Sequence, residues 1–220
     1  MVLLSKEILQ DTRNIVLGHK EKGQFLDEFS AWMKDEFDIE VLNIEFGPLT
    51  GPNEQRYRLY IIVKSAEDRN KMIDETFNYN SEYQQQISAK FNDLNQMHCY
   101  TDESTLQDLF VAFGDFAHDA KTLANWAAID KARKIIKEKY EFVWRVHAQF
   151  ERSVVFYYST QQIMENEMNG INDQITTEYF QILQEYDECR CFQPDSFVIK
   201  FDSKENLDKH FEGNLFYYDR

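Results

Sequence analysis

The stretch that decides the fold is residues 144–158, which reads WRVHAQFERSVVFYY. In residues 144–148 the apolar Trp, Val and Ala alternate with Arg and His, which is the pattern of a half-buried strand. Residues 154–158 are all β-branched or aromatic, so they predict a second strand. These two strands begin the predicted sheet, and the segments on either side supply its helices.

The same order of elements occurs earlier in the chain. The alternation of 144–148 repeats that of 42–46 at an offset of 102, and the last strands match at an offset of 88. The matched segments, earlier one first, are 42–46 and 144–148, 59–63 and 154–158, 81–94 and 173–186, 98–100 and 190–192, and 109–113 and 197–201. Any two mixed α/β segments align loosely, but the ordered recurrence of five features favours a duplication.

We therefore predict an α+β protein of two tandem, related lobes. Each lobe is an α-β-β-α-β unit, with a small antiparallel sheet and helices packed on one side of it. The N-terminal lobe covers residues 1–117 and the C-terminal lobe covers residues 118–220. A long helix over about 118–139 joins the two copies.

The charge of the chain indicates which partners it favours. Its formal net charge is −15, from 39 acidic and 24 basic residues. Such a protein repels the phosphate backbone, so direct nucleic-acid binding is not expected, whereas basic proteins are attracted. The alternative is that the charge serves solubility alone. The odd count of three cysteines, the short apolar run at the N-terminus and the lack of a membrane-length apolar window predict a cytoplasmic protein without a membrane partner.

The sequence holds no recognisable catalytic motif. Only 7 glycines are present, which disfavours a phosphate-binding loop, and no nucleophile elbow or HExxH pattern occurs. Cys189 and Cys191 with His98 and Cys99 are a conceivable zinc set, but Cys99 and Cys191 match each other in separate copies. We therefore predict a non-enzyme with no catalytic residue, metal or cofactor. A carboxylate-dependent hydrolase is the enzymatic alternative.

Residues 138–220 resemble the YezG family of bacterial antitoxin or immunity proteins. The resemblance lies in a Trp-containing strand at 144–148, a strand ending in an aromatic run at 153–158, and an acidic helix around 178–183. An alternating strand at 196–202, an acidic turn at 205–207 and the aromatic tail at 215–218 complete it. The resemblance implies a small α+β protein that binds a toxin domain, often a nuclease, and blocks its substrate site.

We therefore expect an immunity or antitoxin protein that occludes the cleft of a basic toxin enzyme, such as a nuclease. A nuclease cleft is basic because it holds phosphate, so an inhibitor with clustered carboxylates complements it. The alternative is a non-enzymatic adaptor or scaffold that binds a cellular partner. The candidate partner-binding residues, taken from charge and position near strand ends in the second copy, are Tyr157, Asp195, Asp202, Asp208, Glu212 and Asp219.

Overall fold

The computed structural model describes residues 4–49, 56–101 and 109–220. The chain divides into two compact units, Met1–Asp119 and Ala120–Arg220. The elements of the first unit are α1 (Lys6–Val16), α2 (Gln24–Phe37), β1 (Val41–Pro48), β2 (Tyr57–Val63), α3 (Ala66–Lys71), α4 (Ser81–His98) and β3 (Leu109–Asp115). Helix α5 (Phe116–Lys139) begins in the first unit and continues into the second. The boundary predicted from the sequence, between residues 117 and 118, falls in this helix.

The second unit repeats the order of the first. Its further elements are β4 (Val143–Gln149), β5 (Arg152–Tyr157), α6 (Thr160–Met168), α7 (Ile171–Gln184), a 3₁₀ turn (Pro194–Ser196), β6 (Ile199–Ser203), α8 (Lys204–Phe211) and α9 (Leu215–Tyr218). Both sheets have three strands, in the orders β1-β2-β3 and β4-β5-β6. The predicted α+β class and its helix-covered sheets are confirmed.

The sheets are mixed rather than purely antiparallel. The first two strands of each sheet pair antiparallel, whereas β3 pairs parallel to β2 and β6 pairs parallel to β5. The predicted antiparallel sheet is therefore wrong for the third strand. The physical reason is the connection: a chain that returns through helices enters the sheet in the same direction as the strand it left.

The two units share details of register that a loose similarity does not produce. An irregularity interrupts the first ladder between Val41 and Asn43, and another interrupts the second ladder between Val143 and Arg145. Val143 and Arg145 follow Val41 and Asn43 by 102 residues each, which is the offset seen in the sequence. A bulge at one matched position in both sheets favours the duplication.

The helices that follow the parallel ladders also begin at matching positions. The last ladder pair is Val63 with Asp115 in the first unit and Tyr157 with Ser203 in the second. In every case a Ser or Asp side chain accepts a hydrogen bond from the backbone N–H three residues later. These capping residues are Ser65 for α3, Ser159 for α6, Asp115 for α5 and Ser203 for α8. The helix positions that follow them can therefore be compared one to one.

Helices lie against both faces of each sheet. In the first unit α2 and α4 cover one face, and in the second α5 and α7 do so. On the other face of the second sheet, Val154 and Phe156 pack with Leu207 of α8 and residues of α9. On the other face of the first sheet, the Asn43 amide donates a hydrogen bond to Thr12 of α1. The expectation of helices on one side only is therefore wrong, because consecutive strand residues are apolar and both faces need cover.

Candidate partner-binding surfaces

Tyr157 does not lie on the surface. Its side chain is fully buried in the core of the second unit, and its hydroxyl donates a 2.6 Å hydrogen bond to Asn172 of α7. Burial raises the pKa of Tyr157 well above its usual range. Its assignment as a partner-binding residue is wrong, because the strand turns this ring toward the helices α5 and α7.

Asp202 holds the C-terminal segment onto the sheet. It is buried, one of its oxygens accepts from the Ser203 amide and the Asn206 side chain, and the other accepts from the Tyr218 hydroxyl at 2.7 Å. Burial by itself raises the pKa of Asp202, but its hydrogen bonds outweigh burial and bring the pKa below the usual value. Asp202 therefore has a structural role. Its assignment as a partner-binding residue is wrong, and its reversal to Lys is expected to disturb the fold.

We expect Tyr218→Phe to lower the free energy of unfolding by about 1–2 kcal/mol near neutral pH, because a buried carboxylate loses a donor. The pKa of Asp202 is lower in the folded chain than in the unfolded chain, where it is about 3.9. The ionised carboxylate therefore contributes its full stabilisation above about pH 3.9, and this contribution is lost as the pH falls through the pKa of the folded state. The difference between variant and parent should therefore shrink between about pH 6 and about pH 3 in urea unfolding.

The matched control is Tyr217→Phe, since Tyr217 is 45% exposed. It should change the free energy of unfolding by less than about 0.5 kcal/mol at either pH. A Tyr218→Phe effect that stays constant with pH would show that the hydroxyl does not act through the Asp202 carboxylate.

Asp219 is half-buried and faces His147 of β4. The Asp219 carboxylate lies 3.0 and 3.2 Å from the Nε2 atom of His147, and the Asp219 carbonyl accepts a bond from Gln149. These contacts tie the end of the chain to the sheet. Asp219 is thus engaged within the unit, although part of its side chain reaches solvent.

The remaining three predicted residues are exposed, but they do not form one cluster with the others. Asp208 forms an ion pair with Lys204 one helical turn away, and Glu212 follows the end of α8 in a left-handed conformation. Asp195 lies in the separate 3₁₀ turn before β6. Of the six predicted residues, Asp208 and Glu212 are the two that remain as neighbouring surface carboxylates.

Two exposed aromatic side chains of α9, Phe216 and Tyr217, were not among the predicted residues. Phe216 is 60% exposed, its ring lies 5.9 Å from that of Tyr217, and the Arg220 guanidinium lies over it at 4.2 Å. The aromatic run Phe216-Tyr217-Tyr218 was the feature of the sequence that could have pointed to these exposed rings. Because this segment is a helical turn, Tyr218 faces inward while Phe216 and Tyr217 face solvent.

The acidic charge is concentrated in the first unit rather than in the second. Residues 1–119 contain 22 acidic and 11 basic residues, whereas residues 120–220 contain 17 and 13. The excess that attracts a basic partner therefore lies mainly in the copy that the sequence analysis left without candidates. A count of charges by lobe would have shown this from the sequence.

Helices α2 and α4 present aromatic rings beside exposed carboxylates of α2. Trp32 and Phe37 of α2 and Tyr83 of α4 are half-buried and form a row, with ring centroids 5.4 and 5.0 Å apart. Asp35 and Glu36, three and four residues after Trp32, share its side of the helix and are exposed. We call these five residues the α2–α4 face.

The carboxylates of the α2–α4 face lie at an unfavourable place for helix stability. Asp35 and Glu36 belong to the last turn of α2, where the helix dipole disfavours negative charge. Neither forms an ion pair within the described part of the chain. Asp38 differs, because Lys34 and Lys71 pair with it and lower its pKa to about 2. Two unpaired carboxylates at a helix C-terminus suit an external cation better than they suit the helix.

The cysteines and histidines do not assemble into a metal centre. None of Cys99, Cys189 and Cys191 forms a disulfide bond within the part of the chain that the structure describes. Within residues 4–49, 56–101 and 109–220, no group of three or more His, Cys, Asp or Glu side chains is placed to hold a metal ion. Of the helices that the structure describes, none is both long and apolar enough to cross a lipid bilayer.

Comparison with protein-family models, with curated proteins and with solved structures finds no match to this chain.

Proposed function

We propose that this chain is a cytoplasmic immunity or antitoxin protein, which binds a basic toxin enzyme such as a nuclease and occludes its cleft. The observation that carries the proposal is the α2–α4 face, where carboxylates without ion-pair partners flank a row of half-buried aromatic rings. Aromatic rings supply buried area at an interface, and carboxylates steer a basic partner toward it. The lack of a disulfide bond among Cys99, Cys189 and Cys191 in the described part of the chain agrees with a reducing compartment.

The resemblance of the second copy to the YezG family supports the same class of function. The acidic residues, however, favour the first unit as the docking surface. The proposal therefore assigns the primary contact to the first unit, and Asp208 and Glu212 of the second unit become the alternative surface.

The function is tested by isolating the partner and measuring what binding does to it. The chain is immobilised, the partner is captured from lysate of the source cell at low and high salt, and it is identified by mass spectrometry. We expect a basic protein bound one to one, released by salt, whose enzymatic activity falls to the background when the chain is added in equal amount. A partner that binds but keeps its full activity would instead support the adaptor.

The docking surface is tested with two matched charge reversals. We expect Asp35→Lys with Glu36→Lys to slow association with the basic partner by about tenfold or more at low salt, because steering depends on local charge. The control is Asp208→Lys with Glu212→Lys, which changes the net charge by the same amount but in the second unit. This double variant should slow association with the partner far less. Stopped-flow or surface-plasmon association rates decide between them, and equal effects would contradict the α2–α4 face as the docking surface.

A further inference from the structure

A cavity of about 680 Å³ in the first unit lies where the helices α3 and α5 begin, at the ends of the parallel strands β2 and β3. Aromatic rings form its walls, among them Phe77, Tyr79 and Phe110. Polar side chains line it as well, among them Tyr60, Arg69 and Asp119. A concave site that combines aromatic rings with polar and charged side chains has the character of a ligand pocket.

The second copy shows which of these polar residues the fold itself does not require. Counted from the matched strand ends and helix caps, Tyr60 corresponds to Val154, Arg69 to Ile163 and Asp119 to Leu207. Val154 and Leu207 are buried in apolar clusters, and Ile163 packs against the core. The same backbone is thus stable with apolar residues at all three positions. In the first unit these positions carry a hydroxyl, a cation and an anion around one cavity.

A fourth position completes the difference between the copies. Gly114 corresponds to Asp202, and a Cβ atom at residue 114 would lie 2.8 Å from the Tyr60 hydroxyl and 2.6 Å from Leu4. Glycine at this position therefore makes room for the Tyr60 ring at the cavity. The Tyr60 hydroxyl has no hydrogen-bond partner among the described residues.

The charged groups at the cavity retain binding capacity. Asp119 is buried, and one of its oxygens accepts the Leu4 N–H at 2.6 Å, while the other has no partner in the described part of the chain. Arg69 donates a 3.5 Å hydrogen bond to Asn70 and does not form an ion pair with Asp119. Burial raises the pKa of Asp119, so a cation placed beside it would stabilise the ionised carboxylate.

We propose that this cavity binds a zwitterionic ligand of the amino-acid class with an aromatic body, its ammonium group at Asp119 and its carboxylate at Arg69. A guanidinium recognises a carboxylate through paired hydrogen bonds, and a buried carboxylate recognises an ammonium group. The aromatic walls accommodate a ring. A free amino acid and a short peptide offer this same chemistry, and the experiment distinguishes them.

The full chain is titrated by calorimetry with phenylalanine and with the dipeptide phenylalanyl-phenylalanine. Two analogues each lack one charge: 3-phenylpropionate has no ammonium group and phenethylamine has no carboxylate. We expect at least one zwitterion to bind, and each analogue to bind at least about tenfold more weakly than its parent, because a charged group of the site then stays unpaired. The tighter of the two zwitterions identifies the source.

Two variants test which side chain binds the carboxylate of the ligand and which binds its ammonium group. Arg69→Ile introduces the residue of the second copy and should remove the preference for the carboxylate. Asp119→Asn keeps an acceptor for the Leu4 N–H and should remove the preference for the ammonium group. Arg145→Ile, at an exposed position of the second unit, is the control and should bind as the parent does. No binding of either zwitterion at about 10 mM, equal binding of the analogues, or unchanged preferences in both variants would overturn the proposal.

Discussion

Replacing Asn125 by Leu is expected to destabilise the second unit by about 3–5 kcal/mol, which is among the largest effects of a single substitution. Asn125 is fully buried in α5. Its amide group donates to the carbonyls of Phe150 and Arg152, each at 2.8 Å, and its oxygen accepts from Ser153 and Tyr179 at 2.9 and 2.6 Å. A side-chain amide can form four hydrogen bonds, and all four are formed here.

The substitution leaves the four partner groups without their Asn125 bonds. Two of them are backbone carbonyls, one of Phe150 in the β4–β5 turn and one of Arg152 at the start of β5. Phe150 adopts a left-handed conformation that is uncommon for an aromatic residue. The Tyr179 hydroxyl is buried as well, which raises the pKa of Tyr179 to about 12. Because leaving a buried polar group unpaired costs more than a hydrogen bond contributes, Leu is destabilising although it matches the volume.

The measurement is hydrogen exchange followed by mass spectrometry, which reports each unit separately. Exchange should accelerate in peptides of the second unit in Asn125→Leu. Gln174→Leu is the matched control, since Gln174 is exposed on α7, and it should change the free energy of unfolding by less than about 0.5 kcal/mol. Equal protection in the two variants would show that the Asn125 network does not stabilise the unit.

Replacing Phe29 by Ala is expected to destabilise the first unit by about 3–5 kcal/mol. Phe29 is fully buried between α2 and the sheet, and its ring lies 6.1 to 6.5 Å from the rings of Phe25, Trp32 and Phe91. Removing it loses apolar burial, opens a cavity and removes favourable ring contacts. Phe29→Leu keeps most of the volume and should cost less than about 1.5 kcal/mol.

The control for Phe29 is another phenylalanine of the same unit. Phe77 is 89% exposed, so Phe77→Ala should alter the free energy of unfolding by less than about 0.5 kcal/mol. Urea unfolding with exchange readout in the first unit compares the two. Equal destabilisation by Phe77→Ala and Phe29→Ala would contradict the view that burial of Phe29 in the core stabilises this unit.

The sequence predicted the class and the duplication because the signals for both are local. Alternating residues such as Leu42, Ile44 and Phe46 define a strand whatever lies around them, and the offset of 102 survived in the shared bulge. The direction of β3 and β6 was predicted wrongly. Strand direction depends on how the intervening helices cross the sheet, and strand composition does not encode that path.

The candidate site was predicted less well than the fold, and Asp202 and Tyr157 show why. Asp202 lies at the end of a strand and reads as a surface carboxylate, but Tyr218, sixteen residues later, folds back and covers it. Tyr157 lies in an aromatic run in which every residue reads alike, and only the packing of α7 decides that this ring is buried. Charge can be counted from the sequence, whereas exposure of a charged residue depends on distant segments.

The sequence by itself determined the acidic balance, the repeated order of elements and the strands and helices, since each follows from composition or from periodicity along the chain. The tertiary structure alone decided which carboxylates are structural, as for Asp202, and which remain available, as for Asp35 and Glu36. It also brought Tyr60, Arg69 and Asp119 to one cavity. These three side chains meet because the parallel strands β2 and β3 place the starts of α3 and α5 side by side, and that juxtaposition is a property of the folded chain.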